Sequence, residues 1–202
     1  MARYRGAKLR ITRRLGDLPG FTSKKSKSTK RPGQHGEKQK KLTQYAIRLE
    51  EKQKLRYNYG LSEKKLMNYI KQAKKVKGAT GTILLQFLEM RLDNVIFRLG
   101  LAPTIASARQ IVSHKHIMVN NACLSIPSYQ CQPGDIITIK DASNSRKLVN
   151  AFLESPALSN IPQHLDFDKK SLKAKVLGIV DREWVALKLN ELFVIEFYSR
   201  KI

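Results

Sequence analysis

Fourteen cations crowd the first 41 residues: Arg3, Arg5, Lys8, Arg10, Arg13, Arg14, Lys24, Lys25, Lys27, Lys30, Arg31, Lys38, Lys40 and Lys41. A guanidinium grips a phosphate bidentately and also stacks on a base, whereas an ammonium supplies a point charge. Each phosphate neutralised releases condensed counterions, so binding by such a set is steeply salt-dependent. This is the chemistry of holding a polyanion.

Other chemistry is sparse. His114 and His116 stand two apart with no third ligand nearby, too few for a structural metal site. They read as anion contacts or helix-end partners. His35 and His164 are isolated. No Gly-rich phosphate loop of the Walker or Rossmann kind occurs, and no Ser/His/Asp or Cys/His arrangement can be argued. Cys123 and Cys131 are too few and too close for a disulfide framework, and read as two small buried hydrophobes in reducing surroundings. Tyr4, Tyr45, Tyr57, Tyr59 and Tyr69 could stack on bases, although packing suits Tyr57, Tyr59 and Tyr69 equally well. No catalytic residue, metal, cofactor or small-molecule substrate is expected.

The charge balance fits. The 202 residues carry a formal net charge of +23. Residues 1–81 hold 24 Lys and Arg against 5 Asp and Glu, or +19; residues 82–202 hold 15 against 11, or +4. Like charges repel in a compact state, so a chain that keeps them usually has a polyanion to neutralise them. Nucleic acid is the first candidate. A membrane is disfavoured, because no stretch approaches the roughly 18 uncharged apolar residues of a spanning helix. The basic N-terminus has no apolar run behind it, so no secretory signal is expected. Hydrophobic residues make up 42%, enough for a core.

The elements that must position these charges follow from periodicity. Residues 1–42 show no period that lasts, and read as a basic arm. Its stretch from Lys24 to Lys41 is too poor in apolar residues to become ordered without a partner. Thr43 caps a helix running to about Tyr59, with Gly60 as its stop. Ser62 caps the next, whose Leu66, Ile70 and Ala73 form one apolar face. Lys64, Lys65, Lys71, Lys74, Lys75 and Lys77 crowd its other faces, which makes it a good follower of a phosphate backbone. Residues 82–100 read as one further helix, and Thr104 caps a short one to about Ser113. The period then becomes two. Ile117–Val119 is a strand, Asn120-Asn121 a tight turn, and Cys123–Ile126 the returning strand; asparagine tolerates the positive φ such turns need. Pro133-Gly134-Asp135 turns into a strand over Ile136–Ile139. A helix is expected from Arg146 to Leu153, strands at Leu165–Phe167 and Ala174–Val180, and a helix near the C-terminal end. The class is α+β.

The run Met90-Arg91-Leu92-Asp93-Asn94, Phe97-Arg98-Leu99-Gly100, Ala108-Arg109-Gln110, His114-Lys115-His116-Ile117, Val119-Asn120, Pro127-Ser128-Tyr129 and Pro133-Gly134-Asp135 resembles the RNA-binding domain named after small-subunit ribosomal protein S-four. That resemblance implies RNA contacts at Arg91, Arg98, Arg109, Gln110, His114, Lys115, His116 and Asn120. It continues through Arg3-Tyr4-Arg5-Gly6, Arg13-Arg14-Leu15-Gly16, Pro32-Gly33-Gln34-His35-Gly36, Arg48 to Arg56 and Glu196 to Arg200, so nearly the whole chain resembles the S-four family. Gln34, His35, Lys52 and Arg56 join the expected contacts with small-subunit rRNA. The implied organisation is a basic arm over 1–42, a helical domain over 43–89 with residues 186–202 packing back on it, and an RNA-binding α+β domain over 90–185 whose core motif is 90–150. The implied role is that of a primary rRNA binder that nucleates assembly of the subunit body. With ribosomal proteins S-five and S-twelve it would influence translational accuracy. The opening Arg3-Tyr4-Arg5-Gly6 and the length are similar to plastid and cyanobacterial members, which implies a plastid ribosome or, alternatively, cyanobacterial cytoplasm. In the resemblance Lys115 stands where relatives often have Gly, which implies a strained left-handed position or an added phosphate contact. Arg91-Leu92-Asp93 also resembles the tripeptide holding the catalytic Asp of some pseudouridine synthases, an enzyme alternative that Asp93 would have to serve.

Overall fold

The structure is a computed structural model that describes residues 4–28, 30–34, 36, 41–154 and 160–199. In chain order its elements are α1 (Lys8–Leu15), α2 (Gln44–Asn58), α3 (Glu63–Lys75), α4 (Thr80–Glu89), α5 (Leu92–Arg98), α6 (Ile105–Ser113), β1 (Ile117–Val119), β2 (Ala122–Cys123), β3 (Ile136–Ile139), α7 (Ser143–Leu153), β4 (Leu165–Asp168), β5 (Lys173–Val176) and α8 (Glu191–Ser199). A 3-10 turn, Arg182–Trp184, lies before α8. The chain is α+β and divides into two compact units, residues 1–84 with 186–202, and residues 85–185.

In the first unit α2 and α3 begin where the caps predict. The Thr43 hydroxyl accepts from the Ala46 amide at 3.3 Å, and that of Ser62 accepts from Lys65 at 3.4 Å. Gly60, at φ 56°, lets Leu61 N–H reach back to Arg56 O at 2.9 Å and closes α2. Leu66, Ile70 and Ala73 of α3 are fully buried, as are Leu55 of α2 and Val194 of α8. Each of the larger aliphatic side chains contributes roughly 1.5–3 kcal/mol by leaving water.

Helix α8 lies against α2. Arg48 Nε donates to Glu196 Oε2 at 2.6 Å, Asn190 N–H donates to Glu51 Oε2 at 2.9 Å, and the Tyr45 and Phe197 rings are 5.8 Å apart. At the start of α4, a Cβ on Gly81 would sit 2.6 Å from Glu191 Cγ, so only glycine permits this approach.

The leading residues depart from a featureless arm. A helix forms at Lys8–Leu15, and Leu15, Leu18 and Phe21 are buried. Gly20 N–H donates to Asn58 Oδ1 at 2.9 Å. Three well-spaced apolar side chains suffice when a preformed helical surface receives them, although they show no period along the sequence. The expectations for Arg3, His35, Lys38 and Lys40 lie outside the described residues.

In the second unit five antiparallel strands run in the order β2-β1-β3-β5-β4. Ile117, Val119, Ile137, Ala174 and Val176 are buried, while Ile136, Lys173 and Lys175 on alternating positions are exposed. Asn120 and Asn121 both have positive φ, 49° and 66°, and make the two-residue turn that sets Val119 opposite Ala122. The Thr104 hydroxyl accepts from Ser107 N–H at 3.2 Å and caps α6.

Several elements differ from expectation. The single helix over 82–100 is two, because the backbone at Met90–Arg91 leaves the helix to pair with the segment 129–131. Cys131 N–H donates to Met90 O at 2.8 Å, Leu92 N–H to Tyr129 O at 2.9 Å, and Arg91 bridges Gln130. The returning strand covers only Ala122–Cys123. Strand β5 ends at Val176, since its neighbour β4 begins at Leu165, the partner of Val176. Helix α7 starts three residues early, with Arg146 N–H donating to Ala142 O. Cys123 is exposed and only Cys131 is buried.

Candidate nucleic-acid interface

The expected contacts separate into cations that face water and cations that the fold neutralises for itself. In the first unit Arg5, Arg10, Arg14, Lys24, Lys25, Arg31, Gln34 and Lys41 are exposed. Arg13 is half-buried and donates through Nε to Lys30 O at 3.0 Å, which fastens the leading helix to the segment after it. Arg31 Nη2 approaches Glu50 Oε1 at 3.4 Å, yet half of its side chain stays in solvent. Along α3, Lys64, Lys65, Lys71, Lys74 and Lys75 are exposed around the buried stripe, and Lys77 follows them.

Lys52 faces inward. It is only 5% exposed, and its Nζ donates to both Glu63 carboxylate oxygens at 3.0 Å while lying 4.8 Å from the Phe197 ring centroid. Lys52, Leu55 and Tyr59 recur at i, i+3 and i+7, so the face that buries the apolar pair takes the lysine inward too. Burial pushes the Glu63 carboxyl up, but the Tyr198 hydroxyl donating to Oε1 at 2.5 Å, together with the Lys52 ammonium, outweighs it and holds the group below its usual range. Burial and the acceptor role of Glu63 drive the Tyr198 hydroxyl far above the usual phenol range. Arg56 is half-buried, with Nε to Leu61 O and Nη1 to Gln53 Oε1 at 3.4 Å.

In the second unit Arg91 and Arg98 also face inward. Arg91 is 3% exposed; its Nε and Nη2 donate to Asp93 Oδ1 and Oδ2 at 3.0 and 2.7 Å. Arg109 Nε reaches the same Oδ2 at 2.7 Å and is mostly covered. Asp93 is thus held between two guanidinium groups, fully buried. Arg98 donates through Nη2 to the Trp184 carbonyl oxygen, and its Nε stands 3.5 Å from Glu89 Oε2, an ion pair without hydrogen-bond geometry. Asn94 Nδ2 donates to Glu89 Oε2 at 2.7 Å. His164 is buried nearby with neither ring nitrogen hydrogen-bonded within the described residues. Burial, reinforced by the Arg98 charge, lowers its imidazole to about 4, so the ring is neutral.

What faces water is the end of α6 and the hairpin. Gln110, His114, Lys115 and Asn120 are exposed, and His116 is half-buried with Nδ1 2.9 Å from Ser145 Oγ. Lys115 adopts φ 62°, a left-handed conformation that a Cβ disfavours, and its ammonium is outside. Asn120 is bound on both sides: Nδ2 donates to Asp135 Oδ1 at 2.8 Å, and Oδ1 accepts from Ile136 N–H at 2.9 Å. Its side chain therefore holds the turn together.

In the second unit the exposed cations outside the expected set are Lys140, Arg146, Lys147, Lys169, Lys170, Lys173 and Lys175. For Lys173 and Lys175 the signal was the alternation with Ala174 and Val176. Cross-strand partners Asp168 and Asp166 stand opposite them, which offsets part of that charge.

The enzyme alternative fails on geometry. Both Asp93 oxygens accept from guanidinium groups, and the carboxylate has no solvent-facing surface with which to meet a substrate. Among the described residues no group of three or more His, Cys, Asp or Glu could hold a metal ion.

Comparison with known proteins agrees with this architecture. Residues 3–89 match the family model for the ribosomal protein S4/S9 N-terminal domain, and residues 90–137 match the S4 domain. The small ribosomal subunit protein uS4c of Emiliania huxleyi is 79% identical over 202 residues, covering all of both chains. The uS4 protein of a Picosynechococcus species is 61% identical over 200 residues, 99% of each chain, and the uS4c protein of Porphyra purpurea is 60% identical over 201 residues, covering all of both. With full-length identity this high, the chain belongs to the uS4 family of ribosomal structural proteins, which are not enzymes.

Proposed function

We propose that this chain is a structural constituent of the small ribosomal subunit, where its outward cations hold folded rRNA. The observation that carries the reading is the sorting of charge. Lys52, Arg91 and Arg98 are neutralised inside, yet the surfaces of the leading helix, the Lys24–Arg31 segment, α3 and the α6–hairpin end keep cations with little acid beside them. A net charge of +23 maintained this way is costly to a free protein and favourable on a polyanion. Recognition would run mainly through backbone and shape, as suits structured RNA. The residues that meet RNA on this reading are Arg3, Arg5, Arg10, Arg13, Arg14, Lys24, Lys25, Arg31, Gln34, His35, Lys38, Lys40, Lys41, Arg56, Gln110, His114, Lys115 and His116. Arg109 and Asn120 support them from behind.

The finer role we infer is that of an early rRNA binder that nucleates assembly of the subunit body and, beside ribosomal proteins S-five and S-twelve, contributes to translational accuracy. The family and the outward charge support it. The working place is the plastid ribosome, with cyanobacterial cytoplasm as the alternative, in keeping with the sources of the similar chains.

Sedimentation tests the main reading. The tagged chain should travel with small subunits in moderate salt; a chain found only free, or with large subunits, overturns it and favours a free RNA chaperone. For the finer role, reconstitution of small-subunit rRNA with single proteins should show this chain binding without prior partners. A requirement for other proteins to bind first would defeat it.

A further inference from the structure

Cations hold phosphates, but bases need flat apolar faces, and the first unit offers one beside its leading helix. The Tyr4 ring centroid is 5.9 Å from that of Phe21 and 5.4 Å from that of Tyr57, and the latter two are 5.6 Å apart. Phe21 is buried and Tyr57 half-buried, whereas Tyr4 is 41% exposed. Two rings thus brace a third. The interplanar angles of 45° to Phe21 and 79° to Tyr57 mean that neither neighbour lies parallel over the Tyr4 face.

The bracing is itself held. Lys8 Nζ stands 5.4 Å from the Phe21 centroid and donates to Phe21 O at 3.1 Å, and Arg56 Cζ lies 5.4 Å from the Tyr57 centroid. A Cβ on Gly6 would sit 2.5 Å from Tyr4 Oη and 2.7 Å from Cζ, so the Tyr4 ring can fold back along the chain only over glycine. Arg5 and Arg10, both exposed, lie close along the chain and supply charge for the phosphates on either side of a base.

We propose that Tyr4, braced by Phe21 and Tyr57, is a stacking platform for one unpaired base of the bound RNA. The proposal rests on the rRNA-binding reading and deepens it: the ligand at this point is a nucleobase presented by a single-stranded bulge or loop. An aromatic already fixed by two neighbours loses little freedom when a base covers it. Every base has a π-face, so the platform tolerates sequence.

Affinity of the full chain for small-subunit rRNA, titrated at several salt concentrations, is the test. Tyr4→Leu keeps an apolar side chain but removes the π-face; its affinity should fall about tenfold, as expected for loss of one stacked base, with the salt slope unchanged. Tyr4→Phe should bind like the parent. A double variant, Tyr4→Trp with Trp184→Phe, reports directly: its indole emission should be quenched as the RNA is added. Unchanged affinity of Tyr4→Leu, an equal loss in Tyr4→Phe, or an unquenched indole overturns the proposal. A parent chain with no preference for small-subunit rRNA over heparin would instead overturn the reading beneath it, and the platform with it.

Discussion

The Asp93 carboxylate accepts from Arg109 Nε at 2.7 Å across sixteen residues of sequence, and from Arg91 Nη2 at the same distance. One buried anion therefore ties the start of α5 to α6 and to the strand-like step at Arg91. Removing one member of such a buried set leaves uncompensated charge behind. Asp93→Asn should destabilise the second unit by roughly 3 kcal/mol, read as a shift in urea midpoint. An unchanged midpoint would show that the triad has no structural role.

Salt dependence of RNA binding separates outward from inward cations. Replacing Lys24, Lys25, Lys27 and Lys30 together by Gln should flatten the log–log salt slope, by up to roughly 0.9 for each phosphate left unneutralised. Lys52→Met should leave the slope alone and change stability, because Lys52 is already paired with Glu63. Truncating residues 1–42 would be a poor substitute, since Leu15, Leu18 and Phe21 belong to the core. Equal slopes for the parent and the fourfold variant would remove this segment from the interface.

Lys115 offers a trade between strain and binding. Its φ of 62° is natural for glycine and costs a side-chain-bearing residue on the order of 1 kcal/mol. Lys115→Gly should raise folding stability by about that amount, while lowering RNA affinity through loss of an exposed charge. Gains in both, from paired denaturation and binding curves, would show that the ammonium touches no phosphate.

Buried His164 makes the second unit sensitive to acid. Its folded-state value of about 4 lies below that of an exposed imidazole, near 6.5. At pH 7 both states are largely neutral and the group is nearly silent. As pH falls below 6.5 the unfolded chain gains a proton that the folded chain refuses, so stability drops until pH nears 4, by about 3 kcal/mol. His164→Leu should flatten the stability profile across that window. A parallel fall in parent and variant would assign the acid sensitivity to other groups.

The thiols should differ sharply. Burial, with the Asp135 and Asp93 charges, pushes Cys131 up to about 12, while Cys123 is exposed on the hairpin. An aqueous thiol reagent at pH 8 should label the native protein once and the denatured protein twice. Rapid double labelling of native protein would contradict the burial of Cys131.

Local information along the chain determined a good deal. The Thr43, Ser62 and Thr104 caps, the Leu66–Ile70–Ala73 stripe and the paired asparagines of the hairpin turn depend on interactions within a few residues, and the α+β class follows from them. So does the excess of cations, which needs only counting. The tertiary structure alone decided which cations are free. Arg91 and Arg109 look alike in sequence to Lys24 or Arg10, but Asp93 draws them inside, and Lys52 shares a helix face with Leu55. It also decided that Met90–Arg91 interrupts a helix to meet residues 129–131, and that three scattered apolar residues anchor the leading segment. Burial and ion pairing are set by partners far along the chain, so no local pattern carries them.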